Sequence, residues 1–402
     1  MPSKTIVGLD IGSTHIRGVE AIQGNGPLKI KAMASIALQH GVIELGDIKD
    51  SSAFTKALKD LWAKGKFTTK DVRIVTNSQS NITRLITLDW ERDFKKTLPF
   101  KLKGEGMFDA AEYYFGYHTI REYMAQVEDR TSTDGFKEVR KKDILLAGSR
   151  RETTDSMLSA FKAAGLKPVS IDMAPLALLR AERIATDDNA DTNNAIDIHI
   201  NIGASITTLV FSLNDQPIYL RSIADVGGNT ITRQILTALP HADFEYAEKI
   251  KFDSTDMLPV ASVYEAPSTS MFADDDEDND AKANASAAYS RDQMDVYPII
   301  VEEVSAIIDN IHQSIEYFIN TNRMGIGRNI NKIFLSGGTA RFSQIRSRLE
   351  REIGSGEAVY TQPLTYLAND GRGNFDKKYL EKEFDYVLPI GALLGNGDAE
   401  NG

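Results

Sequence analysis

Alternating apolar and polar positions open the chain and predict three neighbouring strands, at residues 5–11, 15–22 and 28–36. Apolar residues then recur at helical spacing in SSAFTKALKDLWAKG, which predicts a helix over residues 51–65 with a serine cap and a glycine stop. A short apolar run indicates a further strand at residues 72–76. The first part of the chain therefore predicts an α/β unit whose sheet begins before its first helix.

The pattern changes between residues 82 and 150, and we interpret this part as a small α/β subdomain inserted into the first unit. It contains a strand (ITRLITL), a charged piece around WERDFKK, an aromatic cluster at residues 113–117 and a second strand (DILLAGS). A helix is predicted over residues 152–164, ended by Gly165, and is followed by a strand (PVSID) and a helix opening at Pro175. The α/β alternation thus resumes after the insertion.

One strand-turn-strand pattern occurs twice in the chain. Residues 5–19 read TIVGLDIGSTHIRGV and residues 196–210 read IDIHINIGASITTLV, an offset of 191 residues that pairs Asp10 with Asn201. Each copy is an apolar, β-branched run followed by an acid or amide, a glycine and small residues. We therefore expect two related half-molecules that face each other across a cleft.

The elements predicted after the second copy complete the second half. A strand is predicted at residues 216–223 and a helix from Gly227 onward. Residues 296–321 carry apolar side chains every three or four positions, which is typical of a long amphipathic helix. The segment NKIFLSGGTARFSQIRSRL predicts a strand, a glycine turn and a helix.

Two polar stretches interrupt these elements. The stretch TDDNADTNN at residues 186–194 predicts a hinge before the second half. Residues 265–292 contain FADDDEDNDAK, with six acids against one lysine. Such a segment has too little apolar surface to order itself, so we expect a disordered loop there.

Composition narrows the classes of function. The chain has 402 residues, enough for two or more domains, and a net charge of −11, which argues against a general nucleic-acid binder or direct adhesion to an anionic membrane. The absence of cysteine excludes disulfides and thiolate chemistry, and six scattered histidines argue against a zinc site. With no signal-peptide pattern and no apolar run of membrane-spanning length, we expect a cytoplasmic protein.

The first copy of the repeated pattern contains the groups that a magnesium-bound polyphosphate requires. Phosphate oxygens need backbone N–H groups in a tight turn, which Gly12, Ser13 and Thr14 offer. Magnesium prefers oxygen ligands, and Asp10 provides a carboxylate at the end of a strand. Arg17, on the outgoing strand, is long enough to contact a phosphate.

Two further glycine turns strengthen this interpretation. The second copy of the pattern fits a mirrored clamp on the same phosphates, and the turn in LSGGTARF would let a flat ring or ribose approach the backbone. The candidate residues in these turns are Asn201, Gly203, Ala204, Ser205, Gly337, Gly338 and Thr339. Each turn alone is typical of ordinary chain reversal, and only the three in this order indicate a nucleotide.

These motifs resemble those of the actin, hexokinase and heat-shock-chaperone superfamily of nucleotide-binding proteins. DIGSTHIR resembles its first phosphate motif, INIGAS its second and FLSGGTARF its adenosine motif. SIDMAPLALL resembles the connection between the halves, where an acidic residue often orients the attacking water, and this resemblance implies a catalytic role for Asp172. ADVGGNTIT and YAEKIK resemble the elements near the phosphates and ribose, which adds Gly227, Gly228, Glu248 and Lys251.

Within the superfamily, VRIVTNSQSNITRLITL and ILLAGSRRETTDSMLSAFKAAGLKPVSIDMAPLAL resemble the PilM family of actin-like type IV pilus assembly proteins. The resemblance implies an α/β, actin-like two-lobed fold with duplicated ribonuclease-H-like halves and a small inserted α/β subdomain. It also implies binding of ATP and Mg²⁺ and docking of the N-terminal tail of a PilN-like inner-membrane protein. Contact with other pilus machinery and membrane association only through partners would follow.

The expected division of the chain combines this resemblance with the predicted elements. The units are the first half (residues 1–81, 166–190 and 380–402), the inserted subdomain (82–165), the second half (191–252 and 325–379) and a smaller subdomain that contains the acidic loop (253–324).

The chain departs from the superfamily pattern at Asn201, where the second phosphate motif usually has an aspartate. An amide oxygen can still accept a hydrogen bond or coordinate a cation, but it brings no negative charge to magnesium. We therefore expect slow or absent hydrolysis, at most a weak ATPase, with ATP acting as a structural ligand.

Two alternative functions remain open at this point. A small-metabolite kinase of the same superfamily would need an aspartate base aimed at a substrate hydroxyl, and the sequence shows no convincing candidate. A filament-forming division-type actin homologue usually ends in an amphipathic membrane helix, whereas this chain ends in GNGDAENG. The pilus-assembly scaffold is the favoured hypothesis.

Overall fold

A computed structural model describes residues 3–131, 135–182, 195–255, 290–321, 329–395 and 400–401 of the chain. The predicted hinge at 186–194 lies outside these residues, as does the predicted acidic loop up to residue 289. The last residues of that predicted loop are not a loop, because a helix begins at Arg291.

The strands are numbered along the chain. They are β1 (Lys4–Ile11), β2 (His15–Gln23), β3 (Leu28–Ala37), β4 (Ile43–Glu44), β5 (Asp47–Ile48), β6 (Asp71–Thr76), β7 (Ile82–Asp89), β8 (Tyr113–Glu128), β9 (Phe136–Arg150), β10 (Lys167–Met173), β11 (Ile196–Ile202), β12 (Ile206–Leu213), β13 (Gln216–Ala224), β14 (Ile330–Ser336), β15 (Glu357–Tyr360), β16 (Gly373–Asn374) and β17 (Glu400–Asn401).

Ten α-helices lie within the described residues. They are α1 (Ser51–Gly65), α2 (Phe94–Gly104), α3 (Arg151–Ala163), α4 (Ala174–Glu182), α5 (Gly228–Ala238), α6 (Phe244–Asp253), α7 (Arg291–Thr321), α8 (Ser343–Ile353), α9 (Pro363–Asn369) and α10 (Val387–Leu393). Two 3₁₀ segments, Gly338–Arg341 and Lys377–Tyr386, connect some of them.

Two sheets share one topology. The first has the order β10-β6-β1-β2-β3-β16 and the second the order β13-β12-β11-β14-β15. In each sheet the first three strands along the chain are antiparallel neighbours. A fourth strand then pairs in parallel with the first, and a fifth pairs in parallel with the fourth. The repeated sequence pattern thus corresponds to β1–β2 in one sheet and to β11–β12 in the other.

A third sheet, of order β17-β8-β9-β7, forms the inserted subdomain together with α2. Its core joins Phe94, Leu98 and Leu102 of α2 to Tyr117 and Ile144 of the sheet. The aromatic cluster predicted at 113–117 therefore begins a long strand, β8, and two of its members, Tyr113 and Tyr117, are buried.

The two large sheets each bury an apolar face against helices. In the first half, Phe54 and Leu58 of α1 and Phe161 of α3 pack against Leu9 of β1. The cap of α1 differs from the serine cap predicted, because the side chain of Asp50 accepts the hydrogen bond from the Ala53 N–H. The helix itself has the predicted bounds.

The second core contains the long helix α7, which lies in one apolar cluster with α5, α8 and β11. Val304 and Ile308 of α7 belong to the same cluster as Ile231 of α5 and Ile200 of β11. Residues 291–321, expected in a separate subdomain, therefore pack into the core of the second half.

The C-terminal part of the chain returns to the first sheet. Leu364 of α9 and Ile390 of α10 pack with Ile6 of β1, and β16 pairs with β3. Residues 363–374, assigned from the sequence to the second half, therefore join the first half. No helix among the described residues is long and apolar enough to cross a membrane.

Candidate functional site

A cleft of about 370 Å³ lies between the halves, and the three glycine turns predicted from the sequence line it. The turns follow β1, β11 and β14, at strand ends that point towards the cleft. Ligands of α/β proteins bind outside such strand ends, where loop N–H groups are free of the sheet. The cleft is the candidate site.

The first turn brings a glycine close to the backbone. The N–H of Gly12 donates to the carbonyl oxygen of His15 at 3.0 Å, and a Cβ on Gly12 would lie 2.9 Å from that oxygen. A side chain at this position would therefore force the turn open. Ser13 and Thr14 lie within the turn and line the cleft.

Asp10 is the charged group at this turn. Its carboxylate lies 3.6 Å from the guanidinium of Arg17 on β2, and burial raises the pKa of Asp10 to about 6, although Arg17 opposes the rise. Burial, together with the charge of Arg17, lowers the pKa of His15 to about 4. A bound cation would favour the ionised form of Asp10, which is the form that can coordinate it.

The second turn repeats the geometry of the first. The Gly203 N–H donates to the carbonyl oxygen of Ile206 at 3.1 Å, and a Cβ on Gly203 would lie 2.8 Å from that oxygen. The two bonds are separated by the same 191 residues as the sequence pattern. The duplication is therefore present in backbone geometry as well as in residue types.

Asn201 occupies the position equivalent to Asp10, but its side chain is held by the protein. Its Nδ2 donates to the hydroxyl of Ser336 on β14 at 3.0 Å, and the residue is buried. The second turn therefore offers amide N–H groups and a neutral oxygen but no charge.

The N-terminus of α5 closes one wall of the cleft against the second turn. The N–H of Gly228 donates to the carbonyl oxygen of Gly203 at 3.1 Å, and a Cβ on Gly227 would lie 2.5 Å from that same oxygen. Helix N-termini favour anions because their first N–H groups have no partner in the helix. The N–H groups of Gly228, Asn229 and Thr230 all donate to backbone carbonyls here, so this wall offers an anion the helix dipole rather than free donors.

Lys251 is buried beneath that wall. Its ammonium group donates to the carbonyl oxygen of Gly228 at 3.2 Å, to the hydroxyl of Thr232 at 2.9 Å, and to the carboxylate of Glu248. Burial lowers its pKa, and Glu248 opposes this effect. All three N–H donors are engaged, so Lys251 fixes α6 to the start of α5.

The third turn meets the second one at the backbone. Gly337 has φ +90°, and a Cβ there would lie 2.4 Å from the carbonyl oxygen of Ile202. The hydroxyl of Thr339 donates to the carbonyl oxygen of Gly203 at 2.9 Å. Glycine is required at position 337 by both conformation and space.

The cleft gathers all but two of the residues predicted from the sequence. Those lining it are Asp10, Gly12, Ser13, Thr14, Arg17, Asn201, Gly203, Ala204, Ser205, Gly228, Glu248, Lys251, Gly337, Gly338 and Thr339. Gly227 adjoins this lining through Gly228, whereas Asp172 lies elsewhere.

Asp172 is placed away from the cleft. It is two strands from Asp10, since both residues are in register with Val75 of β6 between them, a separation of roughly 10 Å across a sheet. Its carboxylate is paired with Arg180 of α4 and faces a different groove. The structure therefore does not bring Asp172 to a position for orienting water on a phosphate in this cleft.

Several lining residues have no place in the sequence prediction. The side chain of Asn77, just after β6, lines the cleft and donates to the hydroxyl of Thr208 on β12 at 3.0 Å. Its position at the carboxyl end of a strand next to β1 is a signal that could have identified it.

Aromatic and charged side chains form the remaining wall. Phe252, next to Lys251, is 43% exposed, and Phe384 lies 5.0 Å from the guanidinium of Arg341. Arg341 also pairs with Asp385 at 2.6 Å, which joins the second half to the C-terminal segment of the first. Such a wall can accommodate a flat ring.

Metal-binding capacity in the described residues is limited to single carboxylates. No cluster of three or more histidine or acidic residues suitable for a metal ion occurs there. Magnesium bound with a nucleotide usually takes one or two carboxylates, water and phosphate oxygens. A single carboxylate, that of Asp10, meets this requirement.

Most of the chain matches one known protein family. The family model described as type IV pilus assembly protein PilM matches residues 8–260, which is more than half of the sequence. The chain belongs to this family. The PilM-family match covers the first two phosphate turns, the inserted subdomain and the helix that carries Lys251.

Several solved structures are similar to this chain. A structure of the PilM-PilN type IV pilus biogenesis complex matches with a TM-score of 0.70 at 19% identity, covering 96% of this chain and 97% of that chain. The ethanolamine utilization protein EutJ from Carboxydothermus hydrogenoformans matches with a TM-score of 0.47 at 14% identity, covering 98% and 91%. MreB5 of Spiroplasma citri bound to ADP matches with 0.46 at 15% identity, covering 98% and 99%. The predicted actin-like fold and membership of the PilM family are confirmed.

Proposed function

We propose that this PilM-family protein is an ATP-binding scaffold of type IV pilus assembly that docks the N-terminal tail of a PilN-like membrane protein. The single observation that carries the nucleotide part is the convergence of three glycine turns and a helix N-terminus on one cleft. The partner part is supported by family membership and by the matched complex, which contains PilN.

Different residues of the cleft suit the phosphates, the metal ion and the base of the nucleotide. The turns at Gly12 and Gly203 suit the phosphates through the N–H groups of the small residues that follow, such as Ser13 and Ala204, and the dipole of α5 adds to this. Asp10 would hold Mg²⁺, which neutralises phosphate charge when bound. Phe252 and Arg341 are placed to stack on a base.

Slow turnover is part of this proposal. Asn201 adds no charge near the phosphates, and Asp172 is paired with Arg180 outside the cleft. The other carboxylates in the cleft lining are engaged as well, Glu248 by Lys251 and Asp385 by Arg341. With Asp10 assigned to Mg²⁺, no described carboxylate in the cleft is left unpaired to act as a general base. We propose a protein that retains ATP, with at most weak ATPase activity.

The partner tail is assigned to a groove of about 430 Å³ between the inserted subdomain and the first half. The groove is lined by residues of β8, β10 and α3, and more of its surface is apolar than polar. Tyr114 and Val169 keep 43% and 38% of their surface exposed there. Exposed apolar residues that line a concave surface are typical of peptide docking sites. Membrane association would then occur through the partner.

Calorimetric titration of the full chain with the N-terminal peptide of a PilN-like protein, with and without ATP and Mg²⁺, tests the proposal. We expect saturable binding that Val169→Asp weakens about tenfold or more, because it places a charge in an apolar contact. Tyr317→Asp is the matched control, since Tyr317 is 57% exposed on α7. Absence of binding in both nucleotide states would remove the scaffold function, and binding unchanged by Val169→Asp would relocate the docking groove.

An ATP hydrolysis assay with a panel of sugars and polyols separates the scaffold from a metabolite kinase. We expect turnover to be slow and independent of the added compound. Turnover that depends on one polyol would favour the kinase.

The four-unit division of the chain, amended for residues 291–321 and 363–374, is proposed as the framework for truncation experiments.

A further inference from the structure

A second, smaller cavity of about 270 Å³ lies where the inserted subdomain meets the second half. Two edge strands approach each other there without pairing, β7 of the inserted sheet and β13 of the second sheet. The segment between β6 and β7 forms another wall. Anything bound in this cavity would contact three parts of the molecule at once.

The lining of the cavity is polar and contains no acidic residue. Its polar side chains are Thr76, Asn77, Ser78, Gln79, Asn81, Thr83, Arg84, Arg221 and Ser222. Among them, only the two arginines carry charge. In a chain of net charge −11, an enclosed surface with cations and hydrogen-bond donors but no carboxylate favours an anion.

Arg84 and Arg221 are both available to a ligand. Neither forms an ion pair or a side-chain hydrogen bond within the part of the chain that the structure describes. Arg84 is on β7 and Arg221 on β13, so the two exposed side chains reach the cavity lining from different sheets. A carboxylate or phosphate between them could accept hydrogen bonds from both.

The amide of Asn81 supplies an independent observation. Its Oδ1 is buried and has no hydrogen-bond partner in the described structure, while its Nδ2 makes only a long contact of 3.5 Å with the hydroxyl of Thr76. A buried acceptor without a donor is unfavourable. Because Asn81 lines the cavity, a ligand hydroxyl or protonated oxygen that reached the Oδ1 would satisfy it.

Two acids, Asp47 and Glu152, line an adjoining cavity that shares Arg84 but are not part of this lining. Asp47, which borders an adjoining cavity, accepts a hydrogen bond from the hydroxyl of Ser78 at 2.6 Å. The cavity touches the nucleotide cleft only through Asn77 and Ile206, which line both. Because its lining holds no carboxylate, it has no general base for phosphoryl transfer and is a binding site only.

We propose that this cavity binds a small anion, a carboxylate or phosphate compound with a hydrogen-bond donor, between Arg84 and Arg221. The ligand bridges the inserted subdomain and the second half and is separate from the nucleotide. This site does not depend on the scaffold function proposed above.

Calorimetric titration of the full chain, saturated with a non-hydrolysable ATP analogue and Mg²⁺ to fill the cleft, tests the site. The probes are inorganic phosphate and, separately, malate, which distinguish the two anion chemistries. We expect saturable binding of at least one probe. Arg84→Gln and Arg221→Gln should each lower its affinity about tenfold or more, the effect of losing a charge-assisted hydrogen bond.

Arg372→Gln is the control for net charge, since Arg372 is exposed and lies outside both cavities. Binding of a fluorescent ATP analogue by each variant checks that the nucleotide cleft remains intact. Absence of saturable binding of both probes would overturn the proposal. So would affinity that is unchanged in both cavity variants, or lowered equally by Arg372→Gln.

Discussion

Asp10 and Asn201 occupy equivalent positions in two turns with the same backbone hydrogen bond, yet they give the cleft one charged side and one neutral side. The charge at Asp10 is retained in a buried place where Arg17 is its only close cation among the described residues. A buried carboxylate without full compensation is costly, and in the nucleotide-free protein this cost appears as a raised pKa.

The raised pKa of Asp10 predicts a pH dependence of stability. The folded protein holds this proton up to about pH 6, whereas the unfolded chain releases it near the ordinary value of 3.8. Stability contributed by this group therefore falls as pH rises through that window, by at most about 3 kcal/mol. Urea denaturation of the nucleotide-free protein at pH 5 and pH 7.5 measures the part of this fall that lies above pH 5, about 1.4 kcal/mol.

Asp10→Asn isolates this contribution from those of other buried acids. The variant should lose a smaller part of its free energy of unfolding between the two pH values than the wild type. Equal losses in both proteins would show that Asp10 is not the group responsible. Added ATP and Mg²⁺ should reduce the wild-type loss, because a cation stabilises the ionised carboxylate.

At the scale of elements, the cleft is assembled by backbone contacts between turns. The start of α5 touches the second turn closely enough that Gly227 has no room for a Cβ beside the carbonyl oxygens of Gly203 and Ala204, at 2.5 and 2.7 Å. Backbone atoms cannot rotate away as the end of a side chain can. The spacing between α5 and β11 therefore depends on that glycine.

Gly227→Ala should lower the free energy of unfolding by about 1–3 kcal/mol and weaken binding of a fluorescent ATP analogue, because the added methyl group separates α5 from the second turn. Gly104→Ala is the matched control, since a Cβ at Gly104 meets nothing within 4 Å. That variant should be neutral or slightly stabilising in denaturant. Equal behaviour of the two variants would contradict the close contact.

Much of this assembly could be predicted from the sequence, and the reason lies in local chemistry. Hydrophobic periodicity predicted α1 and most strands of the two large sheets, although not β15 or β16, and glycine turns predicted most of the cleft. The position of Asp172 outside the cleft lining could not be predicted, because its partner, Arg180, is fixed by the packing of α4, which no local pattern shows. Arg341 and Asp385 were missed for the same reason, since their pairing joins distant segments.

At the scale of the whole molecule, the two halves meet along α4 and α10. Gly391 of α10 lies against the backbone of Ala177 of α4, so that a Cβ on Gly391 would be 1.9 Å from the Ala177 carbonyl oxygen. Beside this contact, the buried carboxylate of Glu182 is hydrogen-bonded to His199 and Thr361 of the second half, and burial raises its pKa. The halves are thus joined by the packing of these helices and by the buried hydrogen bonds of Glu182.

Gly391→Ala should destabilise the protein by at least roughly 1–3 kcal/mol in urea denaturation, because α4 and α10 must move apart to admit the methyl group. Gly395→Ala is the control, as a Cβ there would lie 3.4 Å from the guanidinium of Arg180, an ordinary contact. An unchanged denaturation midpoint for Gly391→Ala would mean that the helices separate without cost.

The return of the C-terminal segment to the first sheet has a consequence for the order of folding. Leu364 and Ile390 complete the core around Ile6, so the N-terminal half lacks part of its interior until almost the entire chain has been synthesised. Domains usually fold as they emerge from the ribosome, starting from the N-terminus. Here the core of the half that is synthesised first cannot be completed until residues 363–395 have been added. Its exposed apolar strands are then a natural target for chaperones.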